Sequence, residues 1–458
     1  MCIKNNLKKA FIILLGMLST FYSYSQAWTD VGGGTNNTVF AFQEYNNKLI
    51  VTGGDTFGIK AIYAIASWDG IQWDSLGSAN PTNGVPYCYA EFNNELYAGG
   101  GFQYMQGLVN TYHIARWDGS QWLSAGSTYN DVGQIKALSV YNNQLYAAGN
   151  ITKIGGVNVN RIAKWNGSNW SSVGGGVTGG FGDISAMAVY KGQLYVGGDF
   201  GYAGGKQTNY IARWNGTVWD SVGMGLDYYV TSMVVDSIAN VLYVSGGFGH
   251  AGSMNTLAIG VAKWDGTAWS AVGSDTLNAT SVLEMYHGEL YAGGGNVMVT
   301  INGEQLNNIY RWDGSQWHSV GGGTNGQVAA LKVYEDTLYV GGHFTQAGSV
   351  PATSYIARWF SPYDTAVNEK KSEVEYLGNN IPNPFNNTTT IPYFVPMGST
   401  GVLKIIDMRG ELVKSYLLTE GNNQLEVSVN EYSSGVYFYS LSIDDGRIVR
   451  HKKMVLDK

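Results

Sequence analysis

Residues 68–73 read WDGIQW, and the pattern Trp-Asp/Asn-Gly-x-x-Trp returns along the whole chain. It stands as WDGSQW from Trp117, WNGSNW from Trp165, WNGTVW from Trp214, WDGTAW from Trp264 and WDGSQW from Trp312. Each first Trp falls 48–50 residues after the one before it. A period of that length argues for units that bury their apolar faces on their neighbours. A seventh first Trp, Trp359, follows after 47 residues, but ARWF there runs into Ser361-Pro362 with no second Trp. The missing half stands at the other end of the chain. Trp28 opens WTDVGGG, which matches WSSVGGG from Trp170 and WHSVGGG from Trp317. The first-Trp positions are therefore Trp68, Trp117, Trp165, Trp214, Trp264, Trp312 and Trp359. The second-Trp positions are Trp28, Trp73, Trp122, Trp170, Trp219, Trp269 and Trp317, so one pair is split between the termini. A ring accounts for the split, because the N-terminal strand then completes the last unit and no sheet edge is left open.

Each unit reads as four strands. VAALKVY (328–334) is a first strand, LYVGG (338–342) a second and YIARW (355–359) a third. The WSSVG type is the fourth. Apolar and polar residues alternate as strands packed between neighbours require. The Asp-Gly and Asn-Gly pairs suit a tight hairpin between strands three and four, because such a turn needs positive φ. The expected fold is all-β: a seven-bladed β-propeller over 26–360, closed by an N-terminal strand, followed by a small C-terminal β-sandwich. An open β-solenoid is the alternative, and the split terminal copy argues against it.

The chain has 458 residues, with 63 Gly, 32 Tyr and 14 Trp but only 13% charged residues. That balance fits short strands and tight turns. A net charge of −7 without a basic stripe excludes nucleic acid as a natural partner, since phosphate contacts dominate that affinity. It disfavours anionic membrane surfaces for the same reason. Residues 1–25 read as a signal peptide: Lys4, Lys8 and Lys9, a short apolar stretch from Ala10 to Leu18, then the small residues Ser23 and Ser25. The stretch is too short for a membrane span, and no later segment is a transmembrane candidate. Beyond it Cys88 is the only cysteine, so packing and strand pairing must hold the exported protein without an internal disulfide.

After Phe360 the repeat stops. Residues 361–379 carry Glu369, Lys370, Lys371, Glu373 and Glu375 among few apolar residues and read as a linker. Residues 380–458 then show NIPNPFNNTTTIPYFVP, LKIIDMRGELVKSYLL, SGVYFYSLSIDDGR and IVRHKKMVLDK, with turns expected at 408–410 and 444–446. This segment closely resembles the C-terminal sorting domain of the type IX secretion system of Bacteroidetes. The resemblance implies handling by the type IX machinery and a secreted or outer-membrane cell-surface destination. An accessory β domain with its own ligand is the alternative.

LYAGG at Leu96, LYVGG at Leu194 and Leu338, and the IARW, IAKW, VAKW and IYRW strings resemble kelch-type repeats, with Trp-Asp-Gly where kelch has Tyr-Asp-Pro. The copies are closer to those of secreted bacterial propellers. Kelch-like copper oxidases need a Cys-crosslinked Tyr and histidine ligands. Cys88, however, aligns with Ala41, Ala137, Ala186, Ser232, Val282 and Ala330, a slot for small packing residues. His113, His250, His287, His318 and His343 show no metal-ligand spacing, so no metal or other cofactor is expected. Asp69, Asp118, Asp265 and Asp313 of the WDG turns exchange with Asn166 and Asn215, which fits a turn role.

Function should therefore lie where the copies differ. Just after the Gly-Gly end of strand two stand Asp55, Gly101, Asn150, Asp199, Gly247, Gly295 and His343. Asp55, Asn150, Asp199 and His343 are the candidate ligand-binding residues, a polar ring at one mouth suited to sugar hydroxyls or a calcium ion; the alternative is that they only end strands and face water. Tyr104, Tyr129, Phe181, Tyr202 and Tyr228 are loop aromatics fit either to stack on sugar rings or to cover blade edges. No catalytic residue is assigned. The expected function is a non-catalytic binding or adhesion module for a glycan or a surface protein. A polysaccharide lyase or glycosidase and a structural spacer are the alternatives, and Asp55 and Asp199 are expected to stand too far apart for a glycosidase pair.

Overall fold

The computed structural model describes residues 27–77, 82–106, 111–129, 131–252, 256–273, 277, 280–301, 304–351, 353–360, 377–378, 380–395, 400–408, 411–419, 421–428, 432–443 and 447–457. The expected signal peptide, most of the expected linker and the turn 444–446 lie outside these residues. The described elements are all strands. Over 27–360 they form seven four-stranded antiparallel sheets, most followed by a short hairpin after the second strand. Sheet one holds Ala41–Tyr45, Lys48–Thr52, Ile65–Trp68 and Trp73–Ser75 in that order. Sheets two to six begin with Pro86–Phe92, Ile135–Tyr141, Asp183–Tyr190, Val230–Asp236 and Thr280–Tyr286. Sheet seven is Gln327–Tyr334, Thr337–His343, Ile356–Phe360 and, as its fourth strand, Ala27–Asp30. Trp28 lies opposite Trp359 in that pairing, as the split copy predicts.

The tryptophans join the sheets. Within each sheet the two Trp rings lie 4.9–5.6 Å apart. Twelve of the fourteen are buried, while Trp269 and Trp312 are partly so. The indole N–H of each second Trp donates to a carbonyl of the preceding sheet. Trp73 reaches Val31, Trp122 Leu76, Trp170 Ala125, Trp219 Val173, Trp269 Val222 and Trp317 Val272, all at 2.8–3.2 Å. Trp28 completes the series by donating to Val320 at 3.1 Å. A buried indole must find such an acceptor, and the repeat supplies one every time. The glycine after that carbonyl belongs to the same device. Gly174 has φ +51°, and a Cβ there would lie 2.4 Å from the Trp214 ring.

Tyrosines stitch the opposite end. The hydroxyl closing strand one donates to the turn of the next sheet: Tyr45 to Asn94, Tyr141 to Gly192, Tyr190 to Asn240 and Tyr286 to Asp336. Tyr334 of sheet seven donates to Asn47 of sheet one at 2.8 Å. Phe92 and Asp236 take this place in sheets two and five, where Asp236 instead caps the amides of Ile238 and Ala239. The first strands themselves lie against one another in succession, and that of sheet seven against that of sheet one.

The WDG turns hold a correction. Positive φ falls on the glycine, from +93° at Gly70 to +102° at Gly216, and not on the Asp or Asn. The Asp or Asn side chain caps instead. Asp118 Oδ1 accepts the amides of Ser120 and Gln121, and Asn166 Oδ1 those of Ser168 and Asn169.

The C-terminal residues form a separate unit of two sheets. Thr388–Val395 pairs with Gly421–Ser428, and Leu412–Leu418, Gly401–Asp407, Gly435–Ile443 and Arg447–Leu456 form a four-stranded sheet. Ile391, Val395 and Val427 from the first meet Leu403, Ile405, Leu441 and Met454 from the second in one core. Packing begins earlier than the expected boundary at 380. Leu377 is fully buried in that core, and Tyr439 donates its hydroxyl to the Gly378 carbonyl.

Candidate functional site

In six sheets the pairing of strands one and two slips by a residue near the start of strand one. The skipped residues are Tyr87, Lys136, Ser185, Thr231, Ser281 and Ala329, and Phe40 precedes Ala41 at the same place in sheet one. Such bulges re-aim a side chain and concentrate at functional rims. Here they bring neighbouring sheets together. The Phe40 and Tyr87 rings stand 6.4 Å apart, Lys136 pairs with Asp183, and Thr231 Oγ1 donates to the Thr280 carbonyl at 2.9 Å. The bulges leave no period in the residue types, so the sequence did not mark them.

The four expected ligand residues sit beside this row, one each in sheets one, three, four and seven. Asp55 is exposed, and its amide donates to Asn36 Oδ1 at 2.8 Å. The Asn150 side chain accepts the Gln134 amide. Asp199 lies directly opposite Asp183. His343 lies opposite Gln327, and its Nδ1 meets Thr38 Oγ1 at 3.0 Å. Among the described residues no hydrogen bond or ion pair joins any two of these four.

A further varied position precedes strand three. Ala64, His113, Arg161, Tyr210, Asn308 and Tyr355 all hold φ between +61° and +69°, and Gly260 takes +83°. Bulky residues adopt this region only where the surroundings enforce it. The side chains reach the expected site. Arg161 donates to the Asn150 carbonyl at 2.9 Å, and the Tyr355 ring stands 5.9 Å from His343. Burial, with the Asp199, Tyr228 and Asp227 groups adding, raises the Tyr210 pKa. Burial lowers that of His113, whose Nδ1 is enclosed without a partner. The one signal in the sequence was that these residues stand immediately before the Ile/Val-x-x-Trp string of each copy yet differ from copy to copy.

Of the five loop aromatics, Tyr104, Phe181 and Tyr202 are exposed and stand apart from one another, while Tyr129 and Tyr228 each meet another ring. Tyr129, 76% exposed, meets Tyr112 at 5.7 Å. Tyr228 stands 4.7 Å from Tyr229 and 6.0 Å from Tyr210. Beside these three tyrosines lies a cavity of about 210 Å³ lined by Tyr229, Thr231, Gly246, Thr280, Ser281, Gly295 and Gln327.

Cys88 is half-buried, its Sγ 3.6 Å from the Gly99 carbonyl, and desolvation pushes the thiol pKa up. Three histidines are each held by a carboxylate: His250 by Asp227 at 2.8 Å, His287 by Asp336 at 3.3 Å and His318 by Asp313 at 2.9 Å. Among the described residues no three His, Cys, Asp or Glu side chains gather closely enough to hold a metal ion.

The C-terminal unit carries a different kind of site, an address. Its strands and turns follow NIPNPFNNTTTIPY and SGVYFY, and its core is complete by Leu456. Residues 380–457 match the family model of the secretion system C-terminal sorting domain. The sorting domain marks the protein for type IX secretion and for the cell surface. No helix among the described residues is long and apolar enough to cross a membrane. No curated protein sequence matches the chain. Among solved structures the chain is similar to PorZ, a surface component of the type-IX secretion system of Porphyromonas gingivalis. That likeness has 12% identity and a TM-score of 0.45, over 93% of this chain and 60% of PorZ. The chain thus spans about three-fifths of PorZ's length. It is also similar to a fungal alcohol oxidase of the AA5 family solved with copper, at 10% identity and a TM-score of 0.48, over 94% of this chain and 100% of that one.

Proposed function

We propose that the seven sheets are the blades of a closed, kelch-like β-propeller over 26–360, carried outside the cell as a non-catalytic binding or adhesion module. A signal peptide over 1–25, a linker over 361–379 and the sorting domain complete its plan. The ring is supported by the Trp28 and Tyr334 bonds that join sheet seven to its neighbours on both sides. The binding reading rests on one observation: in equivalent places of every sheet the scaffold side chains repeat, while those at the bulge and at the end of strand two differ. A rigid disc whose side chains vary along one rim is suited to recognising a glycan or a surface protein.

The test is a screen of the full chain on glycan and extracellular-protein arrays, with and without calcium. Binding that disappears when Asp55, Asn150, Asp199 and His343 are changed together to Ala is the expected result. Undiminished binding by that variant would remove the rim from consideration. A dependence on calcium would assign the cation to the rim carboxylates.

One feature favours a polysaccharide-active enzyme as a second reading. Asp183 and Asp199 face each other across one strand pair, and glycosidases act through two nearby carboxylates. Sugar release abolished by Asp199→Asn would support it. Against it, Lys136 already neutralises Asp183.

A further inference from the structure

The rim divides into two chemically different arcs. Sheets one to three contribute Phe40, Tyr87 and Lys136 at the bulge, large or charged side chains. Sheets four to seven contribute Ser185, Thr231, Ser281 and Ala329, all small. In sheets five and six the end of strand two is glycine, at Gly247 and Gly295, as it is at Gly101 in sheet two. Neither Gly247 nor Gly295 has a positive φ, so its backbone does not demand a glycine. What lies over it does. A Cβ on Gly247 would stand 2.8 Å from the Tyr229 ring, and one on Gly295 would stand 2.7 Å from Gln327 Cγ. The glycines seat these two side chains at the edges of the 210 Å³ cavity.

The lining has a definite chemistry. Tyr229 is 37% exposed, braced by Tyr228, and offers a ring face. Thr231 spends its proton on the Thr280 carbonyl at 2.9 Å, so its oxygen is a fixed acceptor. Ser281 and the Gln327 amide add groups that both donate and accept. Among the described residues no charged side chain lines the cavity. An ionic ligand would lose hydration there without gaining a partner. A volume below the roughly 300 Å³ of a drug-sized site suits one ring of a longer ligand. A polyol ring with one apolar face matches all of these terms.

We propose that sheets five to seven form a subsite for one neutral pyranose unit of a glycan, with Tyr229 stacking on the sugar ring and Thr231, Ser281 and Gln327 meeting its hydroxyls. This rests on the reading of the rim as a binding surface. The test titrates the full chain with cellotetraose, mannotetraose and xylotetraose, and with tetragalacturonate as the anionic comparison, by calorimetry. At least one neutral tetrasaccharide should bind, and Tyr229→Ala and Gly295→Ala should each weaken it roughly tenfold or more. Tyr229→Phe keeps the ring and should retain binding, as should Ile71→Ala in an exposed turn away from the rim. Equal affinity of Tyr229→Ala and the parent overturns the subsite. So does a preference for tetragalacturonate that depends on Lys136, although the rim then still binds a glycan. If no saccharide binds while the fourfold alanine variant loses a captured protein, the subsite falls and the broader reading stands. If neither occurs, both fall.

Discussion

Asp118 and Asp265 show how a single side chain serves this scaffold. Backbone amides two and three residues on, with the Ser120 and Thr267 hydroxyls, hold each carboxyl down to about 2 from an ordinary 3.8. A group whose folded pKa is depressed adds stability above its unfolded value and loses it as pH falls through the folded one. The window for these turns therefore runs from about pH 4 down to about pH 2. Asn166 and Asn215 make the same amide contacts without a charge. Asp118→Asn with Asp265→Asn should leave the melting temperature at pH 7 nearly unchanged and reduce its fall at pH 3, read by thermal denaturation across pH. An equally steep fall in the double variant would show that these caps do not carry the acid sensitivity. The Asp/Asn exchange was legible in the sequence, because it announces that charge is dispensable. Of the two turn roles open to these residues, capping and positive φ, only the structure shows that the side chain caps while the glycine takes the positive φ.

At the scale of the element, the strand Ala27–Asp30 bears the most weight for its length. It contributes one buried Trp, pairs with Ile356–Phe360 and sends an indole bond to sheet six. Trp28→Ala should cost roughly 3–5 kcal/mol and Trp28→Phe less, read by guanidinium denaturation of the full chain. A loss no larger than that of a surface substitution would mean that the strand merely decorates sheet seven. This element was readable because the same physical demand, a Trp pair over a Gly turn, is met seven times. The bulges were not. A one-residue slip changes which side chain faces the rim but leaves the apolar pattern of the strand intact. The cavity beside Tyr229 was hidden for a further reason. Its lining comes from three sheets, and in sequence Gly247 and Gly295 look like gaps in a polar ring, whereas they are seats for Tyr229 and Gln327.

The whole molecule joins a recognition disc, as proposed, to an address. Because Leu377 packs in the core of the C-terminal unit, a deletion meant to remove that unit whole should begin at 377. Removing 377–458 should leave the melting of the seven sheets unchanged and strand the protein inside the cell envelope, as followed by fractionation and surface proteolysis. Appearance of the shortened chain at the surface would separate export from the tail. The strand from which the tail departs has a mechanical consequence. Ile356–Phe360 is gripped on both flanks, by Thr337–His343 and by Ala27–Asp30. Were the N-terminal strand absent, that strand would be the outer edge of its sheet, and tension on the tail would peel it away one hydrogen bond at a time. With both flanks gripped, a load between a bound ligand and an anchored tail must tear two strand pairings together.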